Sequence, residues 1–369
     1  MLLINSSIIL SITFFFTLLY ITFLKTLLLY LLPVSFKANF SSTKNNFYII
    51  NQKNIKNITT TFLFIIITLL STISLPSTSL WFNHIILTQF QTKFIFLIVF
   101  TFYFVSSTLY SYLYFSSKEI YDFIITFTYF FYWIILLFMS NSFFSVIFNI
   151  EVLSTLIFTL HITSVFSTSY SYKNLDLSFS YLFQYATPHT FLNSLLFFYW
   201  MSLISSLNLF VFLVIFYLNF FSFDWYIIEV IFTYLINTNS FSSLLSLHTS
   251  WLILIMCIFL KCGVAPLFIW KPAFFKGLSF HTIFIYITFF YFFLFFFIIH
   301  LISSLSSYFL VYYTYVMLII SIIGSLMLIS FIFEGFYLKT FLATSSILNS
   351  LFIFLAITSI NVTDSLFWL

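Results

Sequence analysis

The sequence predicts an all-α, polytopic membrane protein. Of its 369 residues, 63% are hydrophobic and 5% are charged, whereas soluble domains carry about 25% charged residues. Apolar runs of about 20 residues, the length that crosses a hydrocarbon core, recur along the chain. These runs lack the alternation of apolar and polar residues that is typical of membrane strands. A soluble core cannot bury this much apolar surface, so we expect helices that cross a bilayer.

Residue usage is strongly skewed. The chain has 61 Phe and 25 Tyr but 4 Gly, and all 12 basic residues are Lys. Membrane helices favour small residues where they pack, so packing does not explain this usage. AT-rich codons explain it, and together with the hydrophobicity they indicate an organelle-encoded subunit. The start has no Arg-rich amphipathic presequence, so import is not indicated. The net charge of +4 is too small and too dispersed to indicate a nucleic-acid partner.

Hydropathy divides the chain into about ten apolar spans, matched to a hydrocarbon core of about 30 Å. A polar, Lys-rich loop at 36–59 follows the first span. Region 201–246 is the hardest to assign, because its apolar part, 207–221, either extends the sixth span or lies at the membrane interface. Its second half, with Asp224 and Glu229, is expected to form a surface helix and loop. The predicted spans are 6–32, 60–80, 94–115, 123–139, 143–166, 179–200, 247–268, 280–300, 307–333 and 340–360.

The lysines support this segmentation. If the spans alternate in direction, nine lysines fall on one face and Lys93 alone falls on the other, while Lys25 and Lys261 lie within spans. This bias is the one that the positive-inside rule predicts, and a miscounted span would scramble it. The Lys-rich face is therefore expected to be the inner one, opposite the N-terminus. The nine are Lys37, Lys44, Lys53, Lys56, Lys118, Lys173, Lys271, Lys276 and Lys339.

The seventh span is predicted to be a broken helix with a charge beside the break. Lys261 is followed by Gly263 and Pro266, and both of these residues disrupt helices. A cation and unpaired backbone groups are costly in hydrocarbon, and many ion transporters build their sites at such breaks. The alternative is a helix end whose lysine side chain extends to the interface.

Glu151 lies inside the fifth span, about eight residues from its nearer end. An ionised carboxylate there needs a partner, or it takes up a proton. A Glu and a Lys on neighbouring spans stabilise each other's charged forms, and the Lys releases its proton more readily when the pair opens. We therefore predict a Glu151–Lys261 pair that exchanges protons, with a static pair that fixes helix register as the alternative.

Other polar side chains in the spans are weaker candidates. His189 and His281 are the preferred histidines for proton transfer, because the unperturbed pKa of about 6.5 is close to ambient pH; the alternative is a hydrogen-bonded packing role. Cys257 and Cys262 are expected to be small buried side chains, not a disulfide or metal pair. The sequence has no metal-ligand spacing, phosphate-binding loop or catalytic triad. The lesser histidine candidates are His161 and His300.

The broken span carries the most specific resemblance to a known family. Residues 261–272, KCGVAPLFIWKP, are similar to the K-x-G-x-A-P-F-x-x-W-x-P segment of NADH–ubiquinone oxidoreductase chain 2, an antiporter-like subunit of respiratory complex I. Residues 338–347, LKTFLATSSI, resemble the family's L-R-K-x-L-A-Y-S-S-I. Residues 151–154 and 181–187 resemble its fifth and sixth helices more weakly, so the resemblance covers roughly 120–360. The first segment matches at Lys261, Gly263, Ala265, Pro266, Trp270, Pro272 and Gly277.

The resemblance implies an antiporter-like fold of about fourteen helices with inverted five-helix repeats. Residues 1–120 would form helices 1–3 with a Lys-rich matrix loop, and 121–303 the first repeat, helices 4–8. Residues 304–369 would start the second repeat with helices 9–10, so this repeat is expected to be incomplete and a separate polypeptide to supply helices 11–14. The expected location is the mitochondrial inner membrane, with multiple spans and the N-terminus toward the intermembrane space.

In this family a Glu on helix five and a Lys on the broken helix seven gate protonation of a half-channel, driven by quinone reduction elsewhere in the complex. The resemblance therefore implies that Glu151 modulates Lys261. The family's further Lys on helix eight corresponds to Tyr291, so that relay is expected to use His281 or Tyr hydroxyls and water. His189 is expected to replace the Lys on helix six. The proton-translocation residues implied are Glu151, Lys261, His189, His281, Tyr291 and Lys339.

The resemblance also implies the partners of the chain. NADH, flavin, iron-sulfur clusters and ubiquinone are expected to be bound by other subunits, so the chain would belong to a proton-translocating NADH:ubiquinone reductase without holding a redox centre. The expected partners are the other membrane-arm subunits and lipids, and no nucleic acid. A structural subunit that has lost proton pumping is one alternative, favoured by Tyr291. A free-standing cation/proton antiporter is another, disfavoured because the spans hold no second acid besides Glu151.

Overall fold

The computed structural model is predominantly helical: helices contain 88% of the residues that it describes. The chain divides into two compact units, Met1–Asn141 with Thr155–Phe183, and Ser142–Ser154 with Gln184–Leu369. The domain boundaries near residues 120 and 303 stay predictions. The structure describes residues 78–80, 84–87, 95, 98, 117–168, 188–224, 227, 230–231, 234, 241–278, 280–291, 307–332 and 338–357.

The first unit contains a short antiparallel hairpin. Strand β1 (Thr78–Leu80) pairs with strand β2 (Ile85–Leu87). The prediction of a helical span over 60–80 was wrong at its end, because β1 occupies Thr78–Leu80. Pro76 explains the difference: it stands two residues before β1, where its ring and missing N–H oppose a continuing helix. The β-branched Thr and Ile residues of the two strands also favour extended backbone.

Helix α1 (Ser117–Met139) also belongs to the first unit, and it ends where the predicted span 123–139 ends. Its buried face is built from phenylalanines four residues apart. The Phe123 and Phe127 ring centroids are 6.1 Å apart, and those of Phe127 and Phe131 are 5.0 Å apart. Residues at this spacing are neighbours on one helix face, so the rings form a continuous apolar stripe.

The second unit holds the start of α2 and all later elements. Predicted spans 143–166, 307–333 and 340–360 agree closely with three of these helices. The uncertain region 207–221 extends the sixth span, because one helix continues to Phe220. The elements are α2 (Phe143–Thr168), α3 (Pro188–Phe220), α4 (Phe241–Cys262), α5 (Trp270–Gly277), α6 (Phe280–Ile285), a π-helical segment (Tyr286–Tyr291), α7 (Ser307–Ile332) and α8 (Leu338–Ile357).

An aromatic cluster anchors the start of α2 in the second unit. Phe143 lies with its ring centroid 5.6 Å from Phe212 and 5.0 Å from Phe216, both on α3. Trp251 of α4 closes the cluster at 5.8 Å from Phe143. All four side chains are almost completely buried. Large buried aromatic side chains contribute strongly to packing energy, so this cluster fixes α2 against α3 and α4.

Two helical stretches are long and apolar enough to cross a membrane, Phe143–Thr163 in α2 and Thr190–Phe220 in α3. This finding rests on length and composition, and it supports membrane association. Helix α3 also exposes large apolar side chains of the kind that lipid or a partner covers. The number of ten spans stays a prediction: spans 6–32 and 94–115 and the loop 36–59 lie almost wholly outside the described residues.

Candidate functional site

The predicted break in the seventh span is present. Helix α4 ends at Cys262, because Gly263 adopts the left-handed conformation with a φ of +61°. The Val264 N–H then donates to the Phe259 carbonyl at 3.0 Å, which is the pattern of a glycine-capped helix end. Pro266 follows in the turn and lacks an N–H that could continue the helix. Regular helix resumes only with α5, so Gly263 and Pro266 act as the sequence predicts.

The predicted ion pair also forms. Lys261 Nζ lies 2.5 Å from Glu151 Oε1, and their side chains are 4% and 31% exposed. The Ser154 hydroxyl donates to the backbone carbonyl of Glu151 rather than to its carboxylate. A charge pair in a poorly hydrated interior attracts much more strongly than one in water. The carboxylate therefore compensates a lysine that has almost no access to solvent.

The aromatic cluster explains why these two side chains meet. Glu151 follows Phe143 by eight residues on α2, and Lys261 follows Trp251 by ten residues on α4. At 1.5 Å per residue these separations are about 12 Å and about 15 Å along the helix axes. Since Phe143 contacts Trp251 and Glu151 contacts Lys261, the two helices run side by side in the same direction. Packing at one end thus brings the charges together at the other.

Lys271 is completely buried, with a side chain that is 0% exposed. Its predicted position on the Lys-rich side of the membrane stays a prediction, because burial does not show on which side a residue lies. The Trp270 indole N–H donates to the Leu260 carbonyl at 3.1 Å, which folds the first turn of α5 back against the last turn of α4. A Cβ at Gly263 would lie 3.1 Å from Lys271 Cδ. Gly263 therefore both ends α4 and leaves room for the lysine that sequence reasoning missed.

Lys339 lies at the other end of α5. Its Nζ donates to the Leu278 carbonyl at 2.7 Å and to the Lys276 carbonyl at 3.4 Å. The last carbonyls of a helix lack intrahelical partners, and the helix dipole favours a cation there. The side chain is 8% exposed. Lys339 thus joins the start of α8 to the end of α5, and its predicted part in proton translocation stays a prediction.

The remaining predicted residues are described in part. His161 is buried in α2, and the thiols of Cys257 and Cys262 are free and buried, as predicted. The backbone places His189 in the first turn of α3 and His281 in α6. Their proton-transfer roles stay predictions. The side chains of four candidates lie outside the described part of the structure: His189, His281, Tyr291 and His300.

The arrangement has the chemistry of a proton-exchange site. A carboxylate and an amine in contact exist as a charged pair or, after one proton moves, as a neutral pair, and the balance depends on local hydration. The break begins at Gly263, two residues after Lys261. No protein-family model matches the sequence, and no curated protein matches it.

Proposed function

We propose that this chain is a membrane-arm subunit of respiratory complex I in the mitochondrial inner membrane, and that it takes part in proton translocation coupled to quinone reduction. The observation that carries the proposal is the contact between Glu151 and Lys261 beside the break at Gly263 and Pro266. The resemblance of the broken span and of residues 338–347 to chain 2 of the complex supports the family. The pair supports the mechanism.

The exposures of the two partners suggest how the pair works. While the carboxylate is in contact, it stabilises the ammonium form of Lys261, whose side chain is 4% exposed. If Glu151 turns away or takes up a proton, burial disfavours the ammonium form and Lys261 releases a proton. Glu151 is the more accessible partner, so it is the member that responds to changes elsewhere in the assembly. Other subunits bind NADH, flavin, iron-sulfur clusters and ubiquinone, and quinone reduction drives the opening of the pair.

A structural role in the same complex is the second candidate. Two observations favour it: Tyr291 stands where the family has a further lysine, and Lys339 is bonded to backbone carbonyls at the end of α5. In this candidate the Glu151–Lys261 pair fixes the register of α2 against α4 and carries no protons. In some proteins a buried polar or charged group fixes register at little or no net gain in stability.

The number of protons moved per electron distinguishes the proton-translocating role from the structural role. The variants are Lys261→Met and Glu151→Gln, with Lys276→Met as the control because its side chain is exposed on α5. The assembled complex in sealed vesicles is assayed for quinone reduction and for protons moved per electron. We expect both pair variants to lower the proton-to-electron ratio and the control to leave it unchanged. An unchanged ratio with normal quinone reduction in Lys261→Met would support the structural candidate instead.

A further inference from the structure

We propose that Trp270 is a positioning residue for the Glu151–Lys261 pair. Its indole N–H holds the peptide group between Leu260 and Lys261, and this bond keeps the lysine side chain in reach of the carboxylate. The positioning follows from the geometry of the break between α4 and α5. Its consequence for proton translocation rests on the proposed function.

The break deprives one carbonyl of α4 of its helical donor. In a regular α-helix the Val264 N–H would donate to the Leu260 carbonyl, four residues earlier. Gly263 turns the chain with its φ of +61°, and the Val264 N–H donates instead to the Phe259 carbonyl at 3.0 Å. A carbonyl in a poorly hydrated interior is costly without a partner. The Leu260 carbonyl therefore requires a donor from beyond the end of α4.

Trp270, the first residue of α5, supplies that donor. Its indole N–H donates to the Leu260 carbonyl at 3.1 Å. This carbonyl and the backbone nitrogen of Lys261 belong to the same planar peptide group. A bond that fixes the carbonyl therefore also fixes the backbone at Lys261, whose Nζ lies 2.5 Å from Glu151 Oε1. One rigid unit thus connects the indole to the lysine of the pair.

The indole ring is itself held in place. Trp270 is 3% exposed, and its ring centroid lies 6.0 Å from that of Phe198 on α3 and 5.6 Å from that of Phe274 on α5. Gly263 adjoins the ring as well, since a Cβ there would lie 3.2 Å from Trp270 Cζ2. Close packing restricts the side chain to few rotamers, so the N–H keeps its direction toward the carbonyl.

A packing role and a positioning role for Trp270 predict different outcomes. Loss of packing alone lowers the free energy of unfolding by the same amount whether or not the ion pair is present. Loss of positioning also weakens the attraction between Glu151 and Lys261. A double-mutant cycle on the pair measures that attraction as a coupling energy, so the coupling distinguishes the two roles.

The test measures the coupling between Glu151→Gln and Lys261→Met by unfolding the purified full chain in one detergent. The cycle is repeated in a Trp270→Phe background, which keeps an aromatic ring and removes the N–H donor. The control background is Phe130→Leu, which alters a completely buried ring on α1. We expect the coupling, expressed as a ratio of unfolding equilibrium constants, to fall by about twofold to tenfold in Trp270→Phe, the range that one hydrogen bond accounts for. The control should leave it unchanged.

An unchanged coupling in Trp270→Phe overturns the inference and leaves the proposed function intact. If Trp270→Phe does not fold, Trp270→Met takes its place, because its flexible side chain fills irregular space and also lacks a donor; the same outcomes then decide.

The assembled complex in sealed vesicles tests the consequence for translocation. Trp270→Phe should lower the number of protons moved per electron, and Phe130→Leu should leave it unchanged. A normal ratio in Trp270→Phe while Lys261→Met is impaired overturns the role of Trp270 in translocation. A normal ratio in Lys261→Met overturns the proposed function itself, and a reduced coupling in Trp270→Phe would still support the positioning.

Discussion

The geometry of the ion pair predicts that substitutions of its two partners lower the free energy of unfolding by different amounts. Glu151→Gln leaves Lys261 as an uncompensated cation that is 4% exposed. Breaking a buried pair in this way costs about 3–5 kcal/mol of unfolding free energy. Lys261→Met leaves a carboxylate that is 31% exposed and partly solvated, so the expected cost is about 1–3 kcal/mol, typical of one unsatisfied polar group. Glu151→Gln should therefore be the more destabilising variant.

The double variant isolates the interaction between the two side chains. Removing both charges should recover part of the loss, with a coupling energy of up to about 3 kcal/mol for residues in direct contact. The assay is thermal unfolding of the purified full chain in one detergent, with Lys276→Met as an exposed control within about 0.5 kcal/mol of the wild type. The reasoning is refuted if the single variants cost the same and their effects add.

Three further predictions concern packing, each measured by the same unfolding assay. Gly277→Ala should cost about 1–3 kcal/mol, because its Cβ would overlap the Ser194 side chain, and Ser194→Gly in the same chain should recover most of the loss. Phe212→Ala should cost about 3–5 kcal/mol by opening a cavity in the aromatic cluster, whereas Phe210→Ala, at a 65% exposed position, should cost far less. Lys339→Met should cost about 1–3 kcal/mol, because it removes the donor to two backbone carbonyls. Lys339→Arg keeps a donor and should cost less. Equal losses in these two variants would contradict the hydrogen bonds of Lys339 at the end of α5.

Helix existence and the central pair were predictable from the sequence. Apolar length alone fixes the bounds of α2 and α7 to within a few residues. Gly263 and Pro266 act locally, so their effect on the helix is readable without tertiary information. The pairing of Glu151 with Lys261 was predictable because an unpaired charge is too costly inside an apolar span. In each case one local or electrostatic contribution to the free energy is much larger than the contributions that oppose it.

The burial of Lys271 and the β1–β2 hairpin were not predicted from the sequence. The positive-inside argument predicts the side of the membrane on which a lysine lies and not its burial, whereas the Trp270–Leu260 bond turns α5 back against α4 and Lys271 is buried there. The sequence held a partial signal, since Pro272 is well suited to the first turn of a helix and less so to a mobile loop. The pairing of β1 with β2 depends on tertiary contacts, and the hydropathy of a segment does not predict those contacts.

Gly324 of α7 has a consequence for how the break between α4 and α5 can move. A Cβ there would lie 2.7 Å from Ala265 Cβ and 3.1 Å from the Ala265 carbonyl carbon, so helix backbone lies directly against the loop of the break. Backbone cannot adapt by changing a rotamer, as side chains do. The loop of the break therefore packs against backbone on the α7 side, and this close approach limits how far the backbone at Ala265 can move toward α7.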